Sequence, residues 1–486
     1  MSETLSVSDP LGEGIEIEHD TSFSFEEIER LLSEEGRPPV GKEDEGWIEG
    51  VKEVIDDFMY RNIILNLEHP QDIVERFAEE EMGIENPEDA RVRDAVRRGE
   101  MTDVFMNKGE ELSENYKGDI SFQEVLGGTF YEDKIEAGIA SGIEYLMRGE
   151  DRGKRLRPTL SVLTGYALFD GEIPYFSAIV GAGGEMKHAP SLIKDDQMDG
   201  DNKRRNGESS RVFSRFLHGR DSWDQTTLVG DIVESWGRQV MNSGQDSPEL
   251  DYDIPGRALN ITNKSDEDLS IGQKKDLEHE DTDLRDFEME DYKEVIDEKT
   301  GALFKASVEP IVETFLDYSD EVDGGRVREL FNTYIDRFNF LFQAGDDANE
   351  IFNSGEIGKS ITDVVNRKNT FPAIVTKKVL REEEGEKYSD MFLNIFDGTY
   401  DRVKEEWTEM ADRIGVSLPE RMEGDWETEW LNEVMENYEE NCSEYIMGYL
   451  EEADQAINKL EEMNVIKSDA ADKYRELAEF VWTRDY

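Results

Sequence analysis

Tyr175–Asp199 reads YFSAIVGAGGEMKHAPSLIKDDQMD, and its length, its small and apolar content and its acidic end make it the stretch from which the fold is read. Few β-branched residues alternate along it, so one long helix is expected rather than strands. On that helix Asp195 and Asp199 stand four apart and share a face. A second acid stretch, Asp346-Asp347-Ala348-Asn349-Glu350, repeats the arrangement, with Asp346 and Glu350 on one face of a helix expected over 324–353. Like charges stacked this way lower helix stability unless a cation neutralises them.

The rest of the chain is also helical in pattern. Helices are expected at 131–148, 158–169, 224–241, 287–318 and 370–382, and two more over 451–486 that part near Asn464. Trp47 to Leu67 carries Val51, Val54, Ile55, Phe58 and Ile63 at helical spacing, and Ser24 with Glu27 has the form of a capping box ahead of Ile28, Leu31 and Leu32. No repeat of fixed period is present. The pattern argues for an all-α bundle whose core helices carry the acid motifs inward. Two divisions are expected: a partly helical N-terminal region at 1–125 that carries no assignable motif, and a helical domain at 126–486 interrupted by an acidic, irregular segment at about 383–440 with Trp407, Trp426 and Trp430.

Composition speaks of environment. The formal net charge is -62, spread over nearly the whole length, which resembles haloarchaeal proteins that stay soluble in molar salt. There the Debye length falls to about 3 Å, so self-repulsion is screened. A field of this sign excludes nucleic acid as a general partner. Hydrophobic residues make up 37% and aromatics 10%, ample for one large core or two ordinary ones. The single cysteine, Cys442, excludes an internal disulfide and any cysteine-based metal site. No eighteen-residue apolar run exists and the N-terminus has no export signal, so a cytoplasmic protein without a transmembrane segment is expected.

In a chain with 116 acidic residues an acid-acid-x-x-acid pattern arises by chance roughly six or seven times, so the weight falls on what flanks the two motifs. Gly153-Lys154-Arg155-Leu156-Arg157-Pro158 gathers three cations in four positions at a helix start, where a polyanion can be held. Lys203-Arg204-Arg205 follows the first motif, Lys299-Thr300 precedes the second, and Gly358-Lys359, Lys368 and Thr370 follow it. Acids flanked by cations suggest diphosphate held through metal ions, and Mg2+ prefers carboxylates, phosphate oxygens and water. Gly355 to Ser360 imitates a nucleotide-binding loop, but two residues separate its glycines where four are required.

In order and spacing these elements resemble the trans-prenyltransferases, the polyprenyl or isoprenyl diphosphate synthases, of geranylgeranyl diphosphate synthase type. The resemblance is carried by Gly153 to Pro158, by Glu185-Met186-Lys187-His188 leading to DDQMD, by Arg204-Arg205, by Lys299-Thr300, by Phe342-Gln343 before DDANE, and by Gly358-Lys359 before Lys368-Asn369-Thr370. It covers about 127–382 and resumes at about 451–486. It implies an all-α isoprenoid synthase fold around a central cavity, a homodimer or heteromeric subunit, and Mg2+-assisted ionisation, condensation and elimination between an allylic diphosphate and isopentenyl diphosphate. Asp195, Asp199 and Asp346 are implied as metal ligands, with Asp196, Asp347 and Glu350 in the outer shell or sharing that work. Arg204, Lys299 and Lys359 would clamp the allylic diphosphate with Lys368 nearby, Lys154, Arg157, His188 and Arg205 would hold isopentenyl diphosphate, and Thr300 and Gln343 would face the developing carbocation.

Some positions depart from that pattern. Lys194 stands where the family often has histidine, Asn206 is an extra residue before Gly207, and Asn349 and Glu350 replace an apolar residue and an aspartate. Pro190, five residues before Asp195, lies where bulk helps set product length and should kink the helix. Two other readings stay open at this level: a class I terpene cyclase of the same fold, against which Lys154, Arg157 and Arg205 count, and a diverged homologue that serves as a subunit or scaffold. Gly230-Asp231 and Gly272-Gln273 are read as packing or supporting positions.

Overall fold

The computed structural model describes residues 46–62, 64–115, 125, 129–131, 133–147, 155–171, 173–199, 203–204, 207–208, 213, 217, 223–243, 253–279, 282–319, 322–352, 367–398, 413, 416 and 426–483. Among these the protein is all-α apart from a two-rung antiparallel ladder between Lys203–Arg204 and Gly207–Glu208. Two compact units divide at Asn260. The Ser24 capping box lies outside the described residues.

The first unit opens with α1 (Gly46–Asn62), α2 (Glu68–Arg76), α3 (Ala90–Arg98) and α4 (Glu100–Asn115). It continues with α5 (Lys134–Met147), α6 (Leu156–Leu168), α7 (Tyr175–Asp199) and α8 (Trp223–Ser243). Local chemistry sets the ends. Asp89 caps α3 by accepting from the Arg91 amide at 2.9 Å, and Gly99 stops it at φ 81°. Asp133 accepts from the Ile135 and Glu136 amides and so starts α5. Helix α7 lies against α6 and α8 and runs unbroken through Pro190.

The N-terminal helices are part of this packing: α1 rests on α6 and α7, and α2, α3 and α4 rest on α5. Charged groups tie them in. Asp56 on α1 pairs with Arg155 at 2.8 Å and with Arg97 on α3 at 3.1 Å, and Arg155 also reaches Glu185 on α7 at 2.6 Å and the Leu146 carbonyl at 2.7 Å. Burial works against the Arg155 charge, but Asp56 and Glu185 more than offset it and hold the guanidinium above its ordinary range. Glu144 on α5 accepts from the Thr102 amide at 2.9 Å, placing an anion in the first turn of α4.

Helix α9 (Asp253–His279) spans the division. Beyond it, α10 (Met289–Ile296) passes through a π-turn, Asp297–Gly301, into α11 (Ala302–Asp317). Then come α12 (Gly324–Phe352), α13 (Phe371–Val379), α14 (Glu386–Phe396), α15 (Trp426–Glu436), α16 (Glu439–Glu462) and α17 (Ser468–Thr483). Helix α12 is the axis of the second unit. Its buried stripe of Val327, Leu330, Phe331, Tyr334, Phe338, Leu341, Ala344, Ala348 and Ile351 follows the helical period and meets α11, α13, α16 and α17. Tyr334 donates to the Tyr474 carbonyl at 2.8 Å, so the ring buries its bulk without stranding its hydroxyl.

Lys377 on α13 is fully buried and donates to the Leu284 and Phe287 carbonyls and to Glu288, fastening the approach to α10. Cys442 on α16 is also buried, and burial, with Glu439 adding to it, pushes its thiol up to about 12. In the segment expected as irregular, α14 buries Phe392, Leu393 and Phe396, and α15 buries Trp430, Leu431 and Val434. No helix among the described residues is long and apolar enough to cross a membrane.

Candidate active site

The first acid motif closes α7, with Asp199 as the last residue of the helix. Asp195 is half-buried, whereas Asp196 is fully buried and accepts a 2.8 Å hydrogen bond from the Tyr145 hydroxyl on α5. The two neighbours therefore divide their work: Asp195 faces outward as a candidate ligand, and Asp196 is turned inward against the scaffold. Lys194 points to α8, 3.0 Å from Asp231, and is a surface ion pair instead of an acid-motif partner. The Gly230-Asp231 pair is thus a supporting feature of this helix crossing, as its sequence position suggests.

Arg157 sits buried in the first turn of α6, and His188 is half-buried on α7 with Nδ1 3.3 Å from the Ser191 hydroxyl. Arg155 corrects the sequence reading. Grouped there with Lys154 and Arg157 as a polyanion cradle, it takes φ 46° and turns into the Asp56–Glu185 network described above. Two carboxylates in a low-dielectric interior compete for it more strongly than an exposed anion could. Arg204 ends the first strand of the small ladder, paired in register with Gly207, and only its backbone is described, as is that of Asp199. Lys154, Arg205 and Lys359 lie outside the described residues.

The second motif lies near the end of α12. Asp346 and Glu350 are half-buried, and Asp347 is buried. Asp347 accepts from the Tyr292 hydroxyl at 2.9 Å, from the Gln343 side-chain amide at 3.0 Å and from the Phe371 backbone amide at 3.0 Å. The last of these is a helix cap supplied from another helix: Thr370 precedes α13 without a side-chain capping bond, and the Asp347 carboxylate takes the first amide in its place. Lys368 is half-buried just ahead of that helix.

Gln343 links the motif to the π-turn. Held by Asp347 at its NH2, it turns its carbonyl oxygen toward the Thr300 hydroxyl at 3.4 Å. Lys299, one residue earlier, reaches Asp276 on α9 at 2.6 Å. Gly272, one turn before Asp276, lets α9 approach the turn backbone to backbone, since a Cβ there would stand 2.3 Å from the Lys299 nitrogen. Lys299, Thr300, Gln343 and Asp347 are therefore brought together in one unit, as is the Tyr292 that the sequence gives no reason to select. Tyr145 and Tyr292 were legible only as apolar-face residues of their helices, because a tyrosine that donates to a buried acid has no local signature.

Carboxylate oxygens are the donors magnesium takes. The half-buried Asp195, Asp346 and Glu350 fit that use, and the bonded, buried Asp196 and Asp347 fit the outer-shell role. Among the described side chains no group of three or more histidine, cysteine, aspartate or glutamate residues gathers closely enough by itself to hold a metal ion.

The sequence model of the family described as Polyprenyl synthetase matches residues 139–407, a span that contains both acid motifs. The chain belongs to the polyprenyl synthetase family. A short chain isoprenyl diphosphate synthase of Methanocaldococcus jannaschii is 29% identical over 248 residues, 50% of this chain and 68% of that one. A geranylgeranyl diphosphate synthase of Sulfolobus acidocaldarius is 29% identical over 236 residues, covering 48% and 65%. Among solved structures, a geranylgeranyl pyrophosphate synthetase from Pyrococcus horikoshii superimposes with a TM-score of 0.51 at 21% identity, covering 80% of this chain and 99% of that one. At that identity the likeness speaks for the all-α fold of this polyprenyl synthetase family member, and for the fold alone.

Proposed function

We propose that this chain is a prenyl diphosphate synthase that joins an allylic diphosphate to isopentenyl diphosphate. The observation that carries the reading is the family match over 139–407 with both acid motifs inside it, each supported by a buried second aspartate. Bound Mg2+ would neutralise the leaving diphosphate, held by Asp195, Asp199, Asp346 and Glu350. The chain's own cations do the rest of the binding. Lys299, with Lys359, Arg204 and Lys368, holds the allylic diphosphate, Lys299 exchanging its Asp276 partner for substrate oxygens. Lys154, Arg157, His188 and Arg205 hold isopentenyl diphosphate.

In the reaction the allylic C–O bond breaks and diphosphate leaves with the electron pair. The isopentenyl double bond then attacks the allylic carbon, and transfer of a proton to the departed diphosphate restores an alkene. Gln343 presents a carbonyl oxygen and Thr300 a hydroxyl oxygen to the transient positive charge, and fixed dipoles of this kind lower a barrier without reorganising. The charge of -62 suits work in molar salt, where it is screened. The test is incubation of the purified chain in molar KCl with Mg2+, isopentenyl diphosphate and a series of allylic primers, read by mass spectrometry. Elongated prenyl diphosphates are expected. No elongation with any primer overturns the reading, and a cyclic hydrocarbon formed from one prenyl diphosphate alone replaces it with a cyclase.

A further inference from the structure

We propose that Asn339 is a positioning residue: its side-chain amide fixes the π-turn Asp297–Gly301 and thereby the direction in which Lys299 and Thr300 are presented. The inference rests on the roles proposed above for those two residues. Asn339 is fully buried within α12, and with Gln343 and Asp347 it forms a polar stripe at four-residue spacing along an otherwise apolar face. All three members engage the same neighbourhood. Asn339 donates to the Ile296 carbonyl at 3.0 Å and to Asp297 at 3.2 Å, Gln343 meets Thr300, and Gln343 passes the contact on to Asp347.

A π-turn inserts one residue into a helix and shifts the carbonyl at its start away from the regular ladder. The carbonyl at that start is Ile296's, and Asn339 adds a side-chain donor to it. At the far end of the turn Gly301 leaves the room: a Cβ there would lie 2.9 Å from the Asn339 nitrogen. The orientation of the amide is dictated, because the opposite one would set two carbonyl oxygens against each other. It strands the Asn339 carbonyl oxygen, which is buried with no hydrogen-bond partner. A regular helix opposite an apolar side chain would avoid that penalty. The chain instead keeps a half-satisfied buried amide beside the turn that carries Lys299 and Thr300. Burial, with Asp336 adding to it, pushes the Asp297 carboxyl above its ordinary range, and the Asn339 hydrogen bond works against that rise.

The test pairs kinetics with hydrogen exchange on the full chain in molar KCl. Asn339→Leu keeps the volume and removes the donor. It is expected to lower kcat about 10- to 100-fold, the cost of slight misplacement of catalytic groups, with KM for isopentenyl diphosphate unchanged within about twofold. Amides of 296–302 should exchange faster while those of α16 and α17 do not. Gly301→Ala presses on the same amide from the other side and should give the same pattern, and it decides the matter where Asn339→Leu does not fold. Wild-type kcat and wild-type exchange over 296–302 in a folded variant overturn the inference. If the unmodified chain elongates no primer, the proposed function falls, and the exchange comparison alone then decides whether Asn339 holds the turn.

Discussion

Asp196 at the end of α7 and Asp347 near the end of α12 are each the second acid of a motif, each buried, and each bonded to a tyrosine hydroxyl from an earlier helix, yet they are tied to different things. Asp196 is joined through Tyr145 to α5, on which the N-terminal helices rest. Asp347 is joined through Gln343 to Thr300 and through the Phe371 amide to the start of α13. The first motif is anchored to scaffold, and the second is wired to other candidate site residues. The motif whose sequence departs further from its family, with Asn349 and Glu350, is thus the one knit more directly into its own surroundings. Substitution at the half-buried positions has left the buried one intact.

The strongest way to break the comparison is to remove the outward-facing acids. Asp195→Ala and Asp346→Ala should each reduce turnover about 10²- to 10³-fold or more, with far-UV circular dichroism unchanged. Full activity in either variant would show that its motif holds no substrate. Next in size is the scaffold behind the first motif: Asp56→Ala leaves Arg155 and Arg97 with too little counter-charge and should cost about 3–5 kcal/mol of stability in a denaturant titration. A loss under about 1 kcal/mol would mean that the network does not bind the N-terminal helices to the core.

The two buried acids can then be compared directly. Asp347→Asn should cost about 1–3 kcal/mol, because its oxygen must stay on the Phe371 amide, a donor that cannot reverse, so its new NH2 meets the Gln343 NH2 and Gln343 can accommodate it only by turning its carbonyl away from Thr300. Asp196→Asn should cost less, since the Tyr145 hydroxyl can turn and accept. Equal melting temperatures for the two variants would erase the proposed difference. The smallest effect is expected at Lys194→Ala, where loss of an exposed pair with Asp231 should change stability by no more than about 0.5 kcal/mol.

Apart from Asp253–His279, the helices from Lys134 to Val379 were legible because they bury apolar stripes at helical period, and the Asn464 break is legible too, since that residue takes φ 56° between α16 and α17. Asp253–His279 was missed because few of its described residues are buried and Pro255 and Gly256 stand in its first turn, so it offers no apolar stripe to detect. The acid motifs and Lys299-Thr300 stood out as spacing. What spacing could not reveal was direction. Arg155 and Arg157 are two apart in one basic run, yet Arg155 starts its helix in a left-handed conformation and is spent on internal carboxylates. Neither the π-turn nor the part of Asn339 in it has a local signal, because both depend on what α12 lays against α10.

Cys442 has a practical consequence. It is the only thiol in the chain, so any reaction with a thiol reagent has a stoichiometry of one and a known address. Shut within the packing of α16 and kept protonated by burial, it stays silent while that packing holds. The rate at which the native protein is labelled, followed as salt is diluted, is therefore a built-in gauge of how readily this acidic chain comes apart.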